Sequence, residues 1–114
     1  MSGSTNVLIS AGPTVCLSVV ATSHAAVAIG VTREDANYLA LVNPGALAVA
    51  VTVSQKGAAS TLPVDGTPGS SILLPPLMSQ PILVPLPRTT PQITAIATAA
   101  GPTLIYATPI TYKD

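Results

Sequence analysis

The residues best suited to covalent chemistry in this chain are its one cysteine and its one histidine, Cys16 and His24. A hairpin turning near Ala21 would place them opposite one another, the minimum arrangement for a thiolate and imidazole pair. No carboxylate or amide can be assigned to orient the histidine, and both residues occupy strand-like segments rather than a helix N-terminus or a sharp elbow. The pattern favours two structural strand residues, and we predict that the protein is not an enzyme.

Carboxylate and metal chemistry have equally little support, because the chain has only 4 Asp and Glu residues. Glu34 and Asp35 are adjacent and would point to opposite sides of a strand, so they do not form a general acid–base pair. A zinc site needs three or four converging ligands, and one acid such as Asp65 among turn carbonyls is more typical of a turn than of a calcium site. We predict no catalytic residue, no metal, no cofactor and no small-molecule substrate.

Charge and aromatic content argue against other partners. The formal net charge is +0 and the 4 Lys and Arg residues are scattered, so the chain offers no basic surface for nucleic acid. The uncharged stretch 36–55 is interrupted at Asn43-Pro44-Gly45 and then alternates with period two, so no transmembrane helix and no membrane partner are expected. The first residues lack the basic start of a secretory signal. With 3 Tyr and no Trp or Phe, the aromatics are too few for a base-stacking platform.

The elements that would carry these residues are strands. The 12 prolines leave few windows long enough for a helix. Period-two alternation rich in β-branched residues predicts strands at 14–20, 24–29, 38–42, 47–54, 92–98 and 103–108, with shorter extended pieces at 71–74 and 81–86. Strands at this spacing predict an all-β protein, an antiparallel β-sandwich that is jelly-roll-like, with proline-rich extended segments between 74 and 91.

Two turns are predicted to form hairpins. Val42-Asn43-Pro44-Gly45 fits a type II turn in which Gly45 adopts a positive φ, and 99–102 separates the last two strands in the same way. In 47–54 the odd-numbered residues are large and predict a core-facing side. The even-numbered residues are small and uncharged, and we expect a neighbour to cover them.

The chain is predicted to be one domain over 1–114, with short arms at about 1–12 and about 109–114. Charged residues make up 7% of the chain and hydrophobic residues 48%, so little self-repulsion opposes association. We therefore expect a homo-oligomer, and the homotrimer among these possibilities is implied only by the family resemblance given below. The arms hold the residues predicted to contact other subunits: Ser2, Ser4, Asn6, Ile110, Tyr112 and Lys113.

Several segments resemble the small capsid decoration, or cement, proteins of tailed bacteriophages. The likeness covers 19–105, and it is carried by 21–28, by 38–45 with the valine-rich strand that follows, by Ser60-Thr61-Leu62-Pro63 with the proline-rich stretch after it, and by 93–97. The resemblance implies a compact β-sandwich that assembles, often as a trimer, with the major capsid protein as its partner. It would be made in the host bacterial cytoplasm and act on the exterior of the virion.

Binding there would reinforce the shell. The alternative among phage structural proteins is a head-to-tail or tail component. The alternative from another functional class is a small carbohydrate-binding module, although the scarcity of Tyr and Trp argues against it.

Overall fold

The computed structural model describes residues 7–113, and these form nine strands in two antiparallel sheets. The strands are β1 (Val7–Ser10), β2 (Val15–Val19), β3 (Val27–Ala28), β4 (Tyr38–Val42), β5 (Val49–Ser54), β6 (Ile72–Leu74), β7 (Ile82–Pro85), β8 (Gln92–Ala97) and β9 (Thr103–Lys113). The predicted strands are all present. β3 is shorter than the predicted 24–29, but bonds from His24 N to Ala95 O and from Ile29 N to Pro91 O continue its pairing with β8.

The strands pair as one long hairpin rolled up on itself. β2 pairs with β9, β3 with β8, β4 with β7 and β5 with β6. Two further pairings, β4 with β9 and β5 with β8, join these ribbons side by side. The first sheet therefore has the order β2-β9-β4-β7, with β1 beside the second half of β9, and the second sheet has the order β3-β8-β5-β6. This nested pairing is jelly-roll topology, so the predicted all-β sandwich is confirmed.

The core lies between the two sheets and is built from alternate residues of each strand. The large side of β5 faces inward as predicted, and Val49 and Val51 are fully buried. They join a cluster whose other buried members are Leu17, Val19, Ile29, Leu39, Leu41, Leu74, Ile93, Ala95, Ala97, Ile105 and Ala107.

The two predicted hairpins are wrong. β4 and β5 lie in different sheets, as do β8 and β9, so 43–48 and 98–102 are crossings from one sheet to the other. Gly45 also lacks the predicted positive φ; within 7–113 the glycines with positive φ are Gly57 and Gly66. Alternation identifies a strand but not its partner, and in a rolled hairpin consecutive strands at a crossing belong to opposite sheets.

The predicted C-terminal arm is also wrong, because 109–113 forms the second half of β9. A proline inside a central strand normally indicates the end of that strand, since it has no N–H to donate. Here Ala11 N donates to Pro109 O at 2.9 Å. The backbone nitrogen and carbonyl of one strand residue point to the same side, so the Pro109 nitrogen also faces the junction between β1 and β2. The hydrogen-bond ladder is interrupted at this junction, and the missing N–H therefore costs no strand-to-strand bond. Residues 7–10 of the predicted N-terminal arm form β1, which pairs with 110–113.

The outer side of β5 and β8 in the second sheet is covered by the chain itself. The segment 55–71, which we call the covering loop, crosses the small residues of β5 and β8. Thr94 donates to Ala58 O at 2.6 Å and accepts from Ser60 Oγ at 2.8 Å, while Thr52 Oγ1 pairs with Ser70 Oγ at 2.7 Å. Ser60 and Thr94 are buried as a result. The prediction that a neighbour covers this side of β5 is therefore wrong, because the cover comes from the chain's own loop.

Candidate interaction surface

The one cysteine and the one histidine do not face each other. Cys16 is exposed on β2, opposite Tyr106 of β9. The His24 backbone pairs with Ala95 of β8, and its ring Nδ1 lies 2.7 Å from Ala25 O. Because β2 and β3 belong to different sheets, no hairpin joins the two residues. Across 7–113, no group of three or more His, Cys, Asp or Glu side chains converges on a possible metal position.

The ionic contacts of 7–113 gather around one carboxylate, that of Asp35. It accepts hydrogen bonds from Arg33 Nε at 2.9 Å, Arg33 Nη2 at 3.0 Å and Thr111 Oγ1 at 3.0 Å, and Lys113 Nζ lies 3.1 Å away. The hydrogen bond from Arg33, followed by that from Lys113, holds the pKa of Asp35 well below its usual range. Lys113, a predicted subunit contact, is therefore engaged within its own chain.

Tyr112, another predicted subunit contact, is also tied to its own domain. Its N–H donates to Asn37 Oδ1 at 2.8 Å, and its carbonyl accepts from Asn37 Nδ2 at 3.1 Å. Its ring meets Tyr38 edge to face, with centroids 6.1 Å apart. Ile110 is 6% exposed and has little side-chain area left for a partner. The remaining predicted contacts lie outside the described residues; they are Ser2, Ser4 and Asn6.

The outer side of the first sheet is open, and we call it the open face. Strand register places on it every second residue of five strands. These residues are Leu8 and Ser10 of β1, Cys16 and Ser18 of β2, Tyr38, Ala40 and Val42 of β4, Leu83 and Pro85 of β7, and Leu104, Tyr106, Thr108, Ile110 and Tyr112 of β9. None carries a charge, and all 3 tyrosines of the chain are among them.

Apolar side chains stand exposed on the open face. Leu8 is 56% exposed, Leu104 44% and Leu83 37%. The hydroxyls of Thr14 and Thr108 are 2.6 Å apart and bond to one another, which reduces their demand for water. The open face thus combines exposed leucines with tyrosines and lacks charged side chains. Exposed apolar patches mark interaction sites, and tyrosine enrichment with depletion of charge is typical of the buried centre of a protein interface.

The size of the open face also fits an interface. It is four strands wide, at about 4.8 Å per strand, and at most 11 residues long, at about 3.3 Å per residue. These dimensions give at most about 700 Å². One side of a standard protein interface buries about 800 Å². The open face is therefore large enough to hold most of one binding surface.

Sequence reasoning did not identify the open face. It assigned Tyr38 and Tyr106 to sheets and Tyr112 to an arm, without placing all three on one side of one sheet. The signal was present in 104–112, where every even-numbered residue is uncharged and most are large. This alternation could not be recognised from the sequence as one strand. Pro109 predicts a strand that ends at 108, before the alternation is complete.

Comparisons with models of protein families, with curated proteins and with solved structures give no significant match. The fold and surface define the chain as a β-sandwich of jelly-roll topology, with the outer side of the second sheet partly covered by 55–71 and that of the first sheet open. The described residues, 7–113, contain no helix long and apolar enough to cross a membrane.

Proposed function

We propose that this protein is a virion structural protein that binds the outer surface of a bacteriophage capsid and stabilises the shell. The open face carries the proposal, because a sheet side with exposed leucines, three tyrosines and no charge is suited to lie against another protein. The jelly roll is a fold of viral capsid domains, and also of lectins and cupins, so the fold supports the proposal without deciding it. The resemblance over 19–105 adds the capsid decoration class.

The proposed mechanism is mass action. A protein that binds the assembled shell but not the separated capsid subunits adds its binding free energy to the stability of the shell. Each open face that lies across capsid subunits must be released before those subunits separate. Many copies on one particle then raise the temperature at which the shell ruptures.

The chemistry of the open face predicts how this binding responds to salt. Salt screens interactions between charges but weakens apolar contact very little. Because the open face has no charged side chain among 7–113, attachment through it should change little between low and high salt. Attachment through the Asp35 cluster would instead weaken as salt increases.

The test uses particles depleted of the protein and decorated again with purified variants. Leu8→Glu places a charge on the open face, whereas Leu73→Glu, on β6 of the second sheet, is the matched control with similar exposure of 52%. Wild type and Leu73→Glu should raise the rupture temperature of depleted particles, and Leu8→Glu should not. Equal rupture temperatures with and without bound wild-type protein would refute the proposal.

Cys16 supplies a second measurement on the same particles. It is the one cysteine of the chain and lies exposed on the open face. A maleimide should modify Cys16 rapidly in free protein and slowly in protein bound to shells. Equally fast modification in both states would show that another surface makes the contact. Electron microscopy that finds the protein at the portal or tail would replace the proposal with the head-to-tail or tail alternative.

A further inference from the structure

Most of the sheet edges in 7–113 are protected against pairing with another chain. An edge strand presents unpaired backbone N–H and C=O groups, and proteins usually shorten such a strand or place prolines or charges on it. β3 has 2 residues and β6 has 3, so each offers little backbone for pairing. The first sheet has longer edges, formed by β7 on one side and by β1 and β2 on the other.

β7 is protected by prolines at the positions that face away from the sheet. Leu86 N donates to Asn37 O at 3.1 Å, so the even-numbered residues of this segment face β4. The odd-numbered residues therefore face outward, and most of them are prolines, which have no N–H to donate. These prolines are Pro81, Pro85 and Pro87. Leu83 is left as the one outward donor of 81–87, and the edge of β7 does not suit a further strand.

β2 has none of these protections. It has 5 residues without proline, glycine or charge, and it is the longest edge strand within 7–113. Ala11 N donates to Pro109 O, so the odd-numbered residues of β9 face β1 and β2. Their partners on β2 are Val15, Leu17 and Val19. The backbone groups of Cys16 and Ser18 therefore face outward.

These outward groups are available for pairing. The N–H and C=O groups of Cys16 and Ser18 have no backbone partner within 7–113, and both residues are exposed. They alternate as in any strand, so about three residues of an extended peptide, placed about 4.8 Å away, would bond to all of them. The available stretch ends at Val20, whose carbonyl accepts from Ala97 N of the second sheet. β2 thus offers a site for one short added strand.

We infer that β2 accepts an extended segment of a capsid subunit as an added β-strand. This mode of recognition takes its affinity from backbone hydrogen bonds and its specificity from alternate side chains. On the side of the open face, the added side chains would lie beside Cys16 and Ser18, which are small and uncharged. Large apolar residues at alternate positions of the segment fit there and extend the open face by one strand. This inference rests on the proposed function, because the shell supplies the strand.

A second copy of this chain fits the edge less well. The matching edge of another copy is its own β2, and an antiparallel pair would place Cys16 and Ser18 opposite one another. Such small cross-strand pairs contribute little, whereas aromatic and β-branched residues make the stabilising ones. The position of β2 also favours the shell as the source, since one partner would then cover the open face and pair with its edge.

The first test compares two substitutions at one position on decorated particles. Ser18→Pro removes the outward N–H but no bond to β9, so the fold should be kept, and thermal unfolding checks this. Ser18→Ala also loses the hydroxyl but keeps the N–H, and it is the matched control. Ser18→Pro should bind depleted shells at least about tenfold more weakly than Ser18→Ala, because it loses one hydrogen bond and its ring meets the incoming strand. Equal binding of the two variants to shells that wild type stabilises would overturn the inference and leave the proposed function standing.

The second test needs no variant. Hydrogen exchange at the amides of Cys16 and Ser18 should be fast in free protein and slow on the shell, because a bonded N–H exchanges only when its bond opens. The amide of Leu83 is the internal reference, since it faces outward at the opposite edge of the same sheet. Equal slowing at Leu83 would indicate coverage without strand addition and would overturn the inference. Slow exchange at Cys16 and Ser18 already in concentrated free protein would indicate pairing between copies and would overturn it as well.

Discussion

Thr103 Oγ1 occupies the space in which a side chain at position 45 would begin. Thr103 lies on β9 and Gly45 in the crossing between β4 and β5, so this contact sets how closely the crossing approaches the sheet. Gly45 is required there because no Cβ fits, although its φ is ordinary. The hydroxyl of Thr103 is buried and has no hydrogen-bond partner among the described residues.

We expect Gly45→Ala to lower the free energy of unfolding by about 1–3 kcal/mol, the usual range for overpacking. Thr103→Ala removes the atom that the new methyl group would meet, so the double variant should lose less than the two single losses combined. Chemical denaturation of all four proteins measures this coupling. Additive losses would show that the two residues do not limit each other.

Replacing the unpartnered hydroxyl should stabilise the protein. Thr103→Val keeps the shape of the side chain and removes a buried polar group, so we expect a gain of about 1 kcal/mol in the free energy of unfolding. Thr94→Val is the matched control: Thr94 is equally buried, but its hydroxyl bonds to Ala58 O and Ser60 Oγ. That change should cost about 1–3 kcal/mol. Effects of the same sign at both positions would contradict this explanation.

Asn43 and Asn37 allow a comparison of the same side chain in two environments. Fully buried Asn43 donates to Leu47 O at 2.7 Å and accepts from Gly45 N at 3.2 Å. Asn37 makes two bonds to Tyr112 but is exposed. Asn43→Ala should lower the free energy of unfolding by at least about 2 kcal/mol, because it leaves several partly buried backbone groups and the buried Leu74 O without their partner. Asn37→Ala should lower it by about 1 kcal/mol or less. Thermal or urea unfolding measures both losses. Equal losses would show that the burial of Asn43 does not make its hydrogen bonds more important than those of Asn37.

Acid should selectively weaken the end of β9. Because the pKa of Asp35 is lowered in the folded protein, the stability that its cluster contributes is complete above the unfolded value of about 4. It is lost as the pH falls from there through the lower, folded value. Asp35→Asn should therefore be less stable than wild type at neutral pH and approach it in acid. Urea unfolding between about pH 2 and pH 7 measures the difference, and Glu34→Gln serves as the neighbouring control. A constant difference across this range would exclude the proposed linkage.

Local sequence was sufficient to predict the strands but not their partners. The alternation in 47–54 correctly predicted that Val49 and Val51 face the core, since that signal depends only on the pleat of one strand. The turn at 43–45 looked like a hairpin because its residue types suit a tight reversal, whereas the partner of β4 is set by packing between distant segments. β9 was predicted too short for a related reason, because only the sheet shows that the missing N–H of Pro109 faces a gap.

The open face could not be predicted from local sequence either, because it too depends on which distant strands pair. Its members come from five strands spread from Leu8 to Tyr112, and they share one side only after the chain has rolled up. The small residues of β5 correctly indicated a side that needs cover. They could not indicate that 55–71 provides it, because the bonds of Thr94 and Thr52 to that loop join residues far apart in the sequence.

The nested pairing of the strands also sets an order in which the chain can fold. β5 and β6 are the innermost pair, and Val51 reaches Ile72 by closing the shortest loop of the roll. Each pair outside it closes a longer loop, and the longest loops join β2 and then β1 to β9, where Val15 meets Ala107 and Ser10 meets Ile110. Since loop closure costs more entropy as loops lengthen, the roll is expected to form from its centre outward, on the millisecond-to-second timescale of proteins dominated by distant pairings. The open face is then completed last, because β9 is a central strand of its sheet and pairs with β1 and β2 only when the outermost loops close.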